Sequence, residues 1–249
     1  MEGVEALTFD VFGTVVDWHG SVSAELKALG QDLALSGAFL AADWDAFATE
    51  WRKGYLTNTS RIAREGSDSG PLNVDILHRQ ILDDMLSSPR WVHVGSKLDG
   101  KTRAHLNLVW HRLNGWPDTV EGLYQLKKHV ILTTLSNGNV RLLVDMAKHA
   151  NLPWDLVLSA ELFSCYKPNP EAYLGAIKHL SVPPEKCAMV AAHIYDLRAA
   201  AKVGMKTVYV ERPGEAPGDI TVKPKSEGGE VDCVVQSFVE LASLFSQTH

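Results

Sequence analysis

Side chains of the types that carry out nucleophilic catalysis follow short apolar runs of the sequence, at the point where each run ends. They are Asp10 with Thr14, Ser136 with Asn137, Lys167, and His193 with Asp196. A carboxylate, hydroxyl groups, an ammonium and an imidazole that meet at one place supply a nucleophile, its charge partner and a base. Each residue alone also has a structural interpretation, as a turn residue or as the cap of a helix. Their arrangement in space decides between the two.

The apolar runs are rich in β-branched residues and alternate with helical patterns. The predicted strands are residues 6–9, 130–135, 156–158, 187–191, 206–210 and 232–235. The predicted helices that alternate with them are residues 119–128, 139–150, 170–180, 196–203 and 237–245. This alternation predicts an α/β fold with a parallel sheet covered on both faces. Because ligands bind at the carboxyl ends of the strands in such sheets, the polar clusters are expected to converge there.

One long segment interrupts the alternation. Between Asp17 and about Pro117 the sequence shows no convincing strand, only helical patterns over residues 21–35, 43–57, 73–86 and 100–113. We therefore expect a helical cap domain at residues 18–116, inserted after the first strand of a core domain at residues 1–17 and 117–249. The aromatic residues expected to form the interior of this cap are Trp44, Phe47, Trp51 and Tyr55. The Pro- and Gly-rich residues 212–230 are interpreted as a surface loop.

Composition excludes several classes of partner. The 249 residues include 24 Lys+Arg and 30 Asp+Glu, for a net charge of -6, and no basic run provides a footprint for nucleic acid. No stretch approaches the ~20 apolar residues of a membrane helix. The three cysteines lie far apart, which supplies no zinc framework and suits a reducing compartment. We expect a cytoplasmic protein.

Several segments, in order along the chain, are similar to the motifs of the haloacid dehalogenase superfamily. They are Asp10-Val11-Phe12-Gly13-Thr14, Leu135-Ser136-Asn137-Gly138, Lys167-Pro168-Asn169-Pro170, and Asp196 at the start of a helix. The match covers nearly the whole chain, including a helical cap after the first motif. The resemblance implies a Rossmann-like sheet and a nucleophilic Asp10.

Two positions indicate which branch of the superfamily the chain resembles. Phosphatase members carry a second Asp two residues after the nucleophile, to protonate the leaving alkoxide, and that place is Phe12 here. They also hold Mg²⁺ with an acid where this chain has Ala192, and without that carboxylate too few oxygen ligands remain. A halide leaves without being protonated. The chain therefore resembles the 2-haloacid dehalogenases, whose members carry an aromatic residue at the Phe12 position, and no metal or cofactor is expected.

The resemblance also implies roles in binding. Trp51-Arg52 is similar to the segment whose Arg holds the departing halide, and Asn137 would assist it; the alternative is that Arg52 is a surface helix residue. The hydroxyls of Ser136 and Thr14, with N–H groups at helix starts, would bind the substrate carboxylate.

The remaining roles concern the charge of the nucleophile and the activation of water. Lys167 would keep Asp10 ionised, because a neighbouring ammonium favours the carboxylate; a solvated surface lysine is the alternative. Tyr173 either orients the nucleophile or packs. The general base is His193, whose intrinsic pKa is ~6.5, or Asp196, which otherwise orients His193; a buried structural histidine is the alternative.

The leading hypothesis is a hydrolase that converts (S)-2-haloacids to (R)-2-hydroxy acids, so the expected partner is a small anionic 2-haloacid. The residues expected to contact this substrate are Val11, Phe12, Tyr173 and Tyr195. Two alternatives stay open: a magnesium-dependent phosphatase of the same superfamily, and a degenerate member that binds an anion or a partner without catalysis. The resemblance also allows a homodimer, although no residue here establishes one.

Overall fold

A computed structural model of the protein describes residues 1–32, 42–216, 218 and 221–246. Within them, six parallel strands form one sheet. These strands are β1 (Ala6–Phe9), β4 (Ile131–Ser136), β5 (Leu156–Ser159), β6 (Cys187–Ala191), β7 (Lys206–Val210) and β8 (Cys233–Val235). Their order in the sheet is β5-β4-β1-β6-β7-β8. The predicted α/β fold with a parallel sheet is thus confirmed, and each predicted strand is present within a residue or two.

Helices connect the strands and build the insertion. They are α1 (Trp18–Asp32), α2 (Trp44–Glu65), α3 (Val74–Ser87), α4 (Val92–Gly95), α5 (Gly100–Asn107), α6 (Thr119–Leu126), α7 (Val140–His149), α8 (Pro170–Leu180), α9 (Ile194–Lys202) and α10 (Phe238–Ser246). Their starts follow ordinary capping chemistry: the Asp43 side chain accepts the Ala46 N–H at the start of α2, and Asn169 caps α8 ahead of Pro170.

Two helical predictions need correction. The helix predicted over 43–57 continues to Glu65 and ends before Gly66, whose φ of 96° suits glycine. The helix predicted over 100–113 ends at Asn107 and continues as a 3₁₀ turn. In that turn the His111 ring lies between Asp75 and Asp145 at 2.9 and 3.0 Å, and these contacts favour the tighter winding. The end of the helix predicted over 21–35 lies outside the described residues.

The expectation that residues 17–117 contain no strand was wrong. Strand β2 (Val16–Asp17) pairs with β3 (Asn114–Gly115) in an antiparallel ribbon, with Val16 opposite Gly115. Strands this short leave no periodic pattern in the sequence. The ribbon holds together the two ends of the insertion, residues 18–116, which we call the cap segment; its status as a separate domain stays a prediction.

The sheet is buried on both faces. Leu7 and Phe9 of β1 belong to a large apolar cluster, in which the Phe9 ring lies 5.3 Å from those of Trp154 and Phe238. Ala6 belongs to a second cluster on the other side of the sheet, with α8 and α9. This alternation along β1 is what a strand between two helical layers requires.

The cap segment has an aromatic interior that is continuous with the first cluster. Trp51 and Phe47 are fully buried, the Trp51 ring lies 5.3 Å from Trp110, and the Phe47 ring lies 4.9 Å from Trp91. The predicted aromatic interior is therefore confirmed for these residues. No described helix is long and apolar enough to cross a membrane. The three cysteines are free thiols.

Candidate active site

The carboxyl ends of the central strands open into a cavity of about 590 Å³, which we call the site cavity. Its lining is Asp10, Phe12, Arg52, Tyr55, Leu56, Thr59, Ser60, Ala63, Arg64, Asn137, Lys167, Pro168, Asn169, Pro170 and Tyr195. Asp10 follows β1, Asn137 follows β4, and α2 of the cap segment contributes one wall. The structure thus brings strand-end residues that were expected to converge, such as Asp10, Asn137 and Lys167, to one cavity, together with side chains of the insertion.

Asp10 is nearly buried and receives donors on both carboxylate oxygens. Lys167 Nζ lies 3.0 Å from Oδ1, while the Thr14 hydroxyl donates to Oδ2 at 2.8 Å and His193 Nδ1 lies 2.8 Å from the same oxygen. Burial opposes ionisation, but Lys167, His193 and Thr14 outweigh it and hold the pKa of Asp10 far below its usual range. Asp10 is therefore an ionised carboxylate inside the protein.

Lys167 joins Asp10 to a second buried acid. Its ammonium lies 2.5 Å from Asp196 Oδ2, and the Tyr173 hydroxyl donates to Asp196 Oδ1. Burial disfavours the ammonium, yet the two carboxylates raise the pKa of Lys167. Lys167 is thus no surface lysine. Tyr173 is fully buried behind Asp196 and does not line the site cavity, so it orients Asp196, and its predicted contact with substrate lacks support from the geometry.

The backbone of Lys167 is held by Asn137. The Asn137 Oδ1 accepts the Lys167 N–H at 2.7 Å, and its Nδ2 donates to the Lys167 carbonyl at 3.3 Å. Ser136 is fully buried, and its hydroxyl oxygen accepts the Gly138 N–H at 3.1 Å, so it shapes the turn after β4. A contact between Ser136 and the substrate stays a prediction.

His193 bridges two carboxylates. Its Nδ1 lies 2.8 Å from Asp10 Oδ2 and its Nε2 lies 2.9 Å from Glu215 Oε2. Burial alone would lower the pKa of His193, but the hydrogen bonds and charges of Asp10 and Glu215 raise it to about 9. The ring is therefore an imidazolium at neutral pH. Asp196 bonds Lys167 and Tyr173, so the residue that orients His193 is Glu215.

Glu215 escaped the sequence analysis because it lies in the stretch interpreted as a surface loop. The loop is anchored by Arg212, which pairs with Asp118 at 2.6 Å and donates to the Thr14 carbonyl at 2.9 Å. Trp18 Nε1 then donates to Glu215 Oε1 at 2.6 Å. The sequence carries no signal for this contact. In the structure Gly13 leaves room for it, because its φ is 84° and a Cβ there would lie 2.5 Å from the Glu215 carboxyl.

Arg52 is buried, which rules out the surface-residue interpretation. Its guanidinium lies 4.8 Å from the Tyr55 ring centre and 5.4 Å from that of Phe12, and Nη2 donates to the Phe12 carbonyl at 3.4 Å. Among the residues that the structure describes, Nη1 has no hydrogen-bond partner. A buried cation with an unused donor at the cavity wall is suited to bind an anion.

The other residues predicted to contact substrate divide into two groups. Phe12 and Tyr195 line the site cavity, and the Tyr195 ring stacks on His193 at 5.5 Å. The Val11 side chain is buried in the first apolar cluster instead, so any contact it makes with substrate must come from its backbone.

The positions where phosphatases carry further acids hold apolar residues here. Phe12 and Ala192 are both buried, and Asp10 and Asp196 each bond the Lys167 ammonium. In the described part of the chain, no group of three or more His, Cys, Asp or Glu residues is arranged to hold a metal ion. The positive charges next to Asp10 come from side chains.

Fold and site together define an α/β protein with a helical insertion after its first strand and an ionised aspartate at the end of that strand. The chain belongs to the haloacid dehalogenase-like hydrolases, whose family model matches residues 4–204. A solved L-2-haloacid dehalogenase is 35% identical, with a TM-score of 0.82, and the match covers 97% of this chain and 99% of that one.

Two further relatives carry related names. A solved defluorinating L-2-haloacid dehalogenase is 34% identical, with a TM-score of 0.84 and coverage of 98% of this chain and 95% of that one. The (S)-2-haloacid dehalogenase 4A of Burkholderia cepacia is 29% identical over 223 residues, 87% of each chain. The similarity therefore extends over the insertion as well as the core.

Proposed function

We propose that the protein is a hydrolytic dehalogenase that converts (S)-2-haloacids to (R)-2-hydroxy acids. The overall reaction takes one 2-haloacid and one water and yields the 2-hydroxy acid, a halide ion and a proton. The observation that carries the proposal is a buried, ionised Asp10 between Lys167 and His193, with Phe12 where a proton-donating acid would stand. The names of the relatives point to the same class of reaction.

In the first step Asp10 displaces the halide. Oδ2 carries two hydrogen bonds and Oδ1 one, so Oδ1 keeps more of the negative charge and is the attacking atom. It forms a bond to C2 of the substrate from behind as the carbon–halogen bond breaks, and the bonding pair leaves with the halide. Attack from behind inverts C2, which turns an (S)-haloacid into an (R)-hydroxy acid.

The leaving halide and the substrate carboxylate need separate donors. The free Nη1 of Arg52 and the Asn137 amide stabilise the halide at the cavity wall. Thr14 already donates to Asp10 and accepts the Ala192 N–H, so it has little left for substrate. Among the described residues, the backbone N–H groups of Val11 and Phe12 make no hydrogen bond, and we assign the substrate carboxylate to them.

The second step hydrolyses the ester on Asp10, and here the charge of His193 changes. Ester formation removes the negative charge of Asp10, one of the two anions that hold the imidazolium proton. The pKa of His193 then falls towards its ordinary value of ~6.5, and the proton passes to solvent. The Nδ1 of His193 is now free to accept a proton from water, while Nε2–H stays bonded to Glu215.

His193 carries the protons that move in this step. Water adds to the Asp10 carbonyl carbon as His193 takes its proton, and collapse of the adduct breaks the bond between that carbon and the substrate oxygen. His193 returns the proton to this oxygen, which gives the hydroxy acid and leaves Asp10 as a carboxylic acid carrying the second proton of the water. That proton passes to Nδ1 of His193, which regenerates both the Asp10 carboxylate and the imidazolium.

The test is halide release from (S)-2-chloropropionate, with the wild type, with Asp10→Asn and with added EDTA. We expect chloride release by the wild type in the presence of EDTA, (R)-lactate as product, and no turnover by Asp10→Asn. No halide from any small 2-haloacid would overturn the proposal. Release of phosphate from an aryl phosphate that EDTA abolishes would support the phosphatase alternative instead.

We also propose where in the cell the protein works and what it binds. We place it in the cytoplasm, because the cysteines are unpaired and buried or half-buried thiols that suit a reducing compartment. The protein takes a small organic anion as its partner, and a homodimer remains the assembly that the family resemblance allows.

A further inference from the structure

The site cavity is much larger than a short 2-haloacid requires. A 2-chloropropionate ion has six non-hydrogen atoms, and six volumes of ~30 Å³, the share of a water molecule in the liquid, occupy roughly 180 Å³. The cavity holds about 590 Å³, within the range of sites for considerably larger ligands. About two thirds of the space is left beyond the reacting groups, so the remaining volume is available for the rest of a longer substrate.

The extra volume runs along one side of α2. The residues of this helix that line the cavity are Arg52, Tyr55, Leu56, Thr59, Ser60, Ala63 and Arg64. Their spacing of three and four residues places them on one face over successive turns. From Arg52 to Arg64 the helix rises ~18 Å, at 1.5 Å per residue. The cavity therefore extends from the reacting end towards the C-terminus of α2.

The middle and the far end of this cavity differ in chemistry. Leu56 and Ala63 on α2 and the prolines that flank Asn169 supply apolar surface, which suits a methylene chain. Arg64 lies at the far end and is exposed. Among the described residues it makes no ion pair or hydrogen bond, whereas Arg61 on the same helix pairs with Glu65 at 3.0 Å. The far end thus carries a cation that the protein itself does not neutralise.

We propose that the preferred substrates are 2-haloacids with an extended apolar chain that ends in a second carboxylate, which Arg64 binds. This inference rests on the proposed dehalogenase function and names the class of substrate for the same site. The 2-carboxylate and the halogen occupy the end at Asp10 and Arg52, the chain lies along Leu56 and Ala63, and the distal carboxylate pairs with Arg64. The chemistry at C2 is unchanged.

The experiment compares chloro acids matched in length, 2-chlorooctanoate and 2-chlorosuberate, with 2-chloropropionate as the short reference. In the wild type we expect kcat/KM for the dicarboxylate to exceed that for the monocarboxylate by about fivefold, the size of one partly exposed ion pair. Arg64→Ala should abolish this ratio, and Arg64→Glu should invert it. The matched control is Arg61→Ala, a half-buried arginine of the same helix outside the cavity lining, which should keep the wild-type ratio.

A second variant tests the cavity without touching the charge. Ser60→Phe fills the space between the two ends and should lower kcat/KM for both long acids relative to that for 2-chloropropionate, with the fold checked by circular dichroism. The inference is overturned if wild-type kcat/KM falls steadily with chain length, or if Arg64→Ala and Arg61→Ala give the same ratio of dicarboxylate to monocarboxylate. Absence of chloride release from all three acids would instead refute the proposed function.

Discussion

Replacing Glu215 by Gln tests the link between the C-terminal loop and the chemistry at Asp10. The two carboxylates that contact His193 raise its pKa from 6.5 to about 9, which corresponds to about 3 kcal/mol in favour of the imidazolium, at ~1.4 kcal/mol per pH unit. Glu215→Gln removes one of the two charges and keeps the shape of the side chain. Because the two carboxylates also offset the effect of burial, an equal division gives each more than half of this net rise, and the pKa of His193 should fall by more than about one pH unit.

The titration is measured by NMR on protein labelled with ¹⁵N in histidine, and the His193 signals are assigned from their absence in a His193→Gln variant. Glu211→Gln serves as the control, because Glu211 is an exposed acid between β7 and this loop that does not contact His193. The control should titrate as the wild type does. A His193 pKa in Glu215→Gln within a few tenths of the wild-type value would refute the assigned role of Glu215.

The same variant should separate the two chemical steps. Halide release once per active site depends on Asp10 and Arg52 and should persist in Glu215→Gln. Ester hydrolysis needs an oriented base that can become charged. Loss of the Glu215 carboxylate that orients His193 should therefore slow turnover by ~10²-fold, the lower end of what a general base contributes. Rapid quenching and intact-mass spectrometry should find the ester on Asp10. Equal slowing of both steps would contradict the division of roles.

Further predictions concern stability and pH. Lys167→Met leaves the buried carboxylates of Asp10 and Asp196 without the cation that they share and should reduce the free energy of unfolding by ~3–5 kcal/mol at neutral pH. Because both carboxyl groups are then easier to protonate, urea titrations should show that the substitution destabilises the protein less at acidic pH than at neutral pH. A destabilisation that does not change with pH would contradict this account. Trp51→Ala empties the aromatic interior of the cap segment and should cost ~3–5 kcal/mol in the same assay, whereas a loss below ~1 kcal/mol would contradict its packing. The His111 ring lies between two carboxylates that raise its pKa above 6.5 against the effect of burial. The stabilisation of the folded protein by this charged ring is full below pH ~6.5 and is lost as the pH rises through the raised pKa. The difference in Tm between wild type and His111→Gln should therefore shrink at alkaline pH. A difference in Tm that grew with pH would contradict this account.

Much of the site follows from one rule about parallel sheets. Asp10, Asn137 and His193 were expected to meet because each follows a strand that the apolar pattern predicts. The structure places Asp10 and Asn137 on the lining of one cavity and His193 in contact with Asp10. Lys167 follows the same logic, although its distance from Asp10 depends on the loop that Asn137 holds. Local patterns sufficed here because the position of each strand and the polar residues at its end are both visible in the local sequence, and parallel strands bring those ends to one edge of the sheet.

The features that escaped prediction are held by contacts distant in sequence. Glu215 reaches His193 only because Arg212 anchors its loop to Asp118 and to the backbone of Thr14. No periodic pattern in a Pro- and Gly-rich stretch reports such an anchor. The β2–β3 ribbon is two residues on each side, and the 3₁₀ turn at His111 depends on acids from two other helices. The conformations of these segments are determined by tertiary contacts and not by the secondary-structure propensities of their residues.

The ribbon that joins Val16 to Gly115 gives the insertion a narrow point of attachment. Segments whose ends lie side by side can be lengthened, shortened or exchanged at little cost in loop closure, since that cost rises only slowly with length. The substrate-facing helix can thus diversify while the sheet and its aspartate stay unchanged, provided that the insertion keeps its contacts with the core. These include the contacts of Arg52 and Trp18 at the site and those of Asp75 and His111 with α7 and the turn before it. A chimera in which the insertion is exchanged at this ribbon is a direct way to alter the substrate range while the reaction centre is kept.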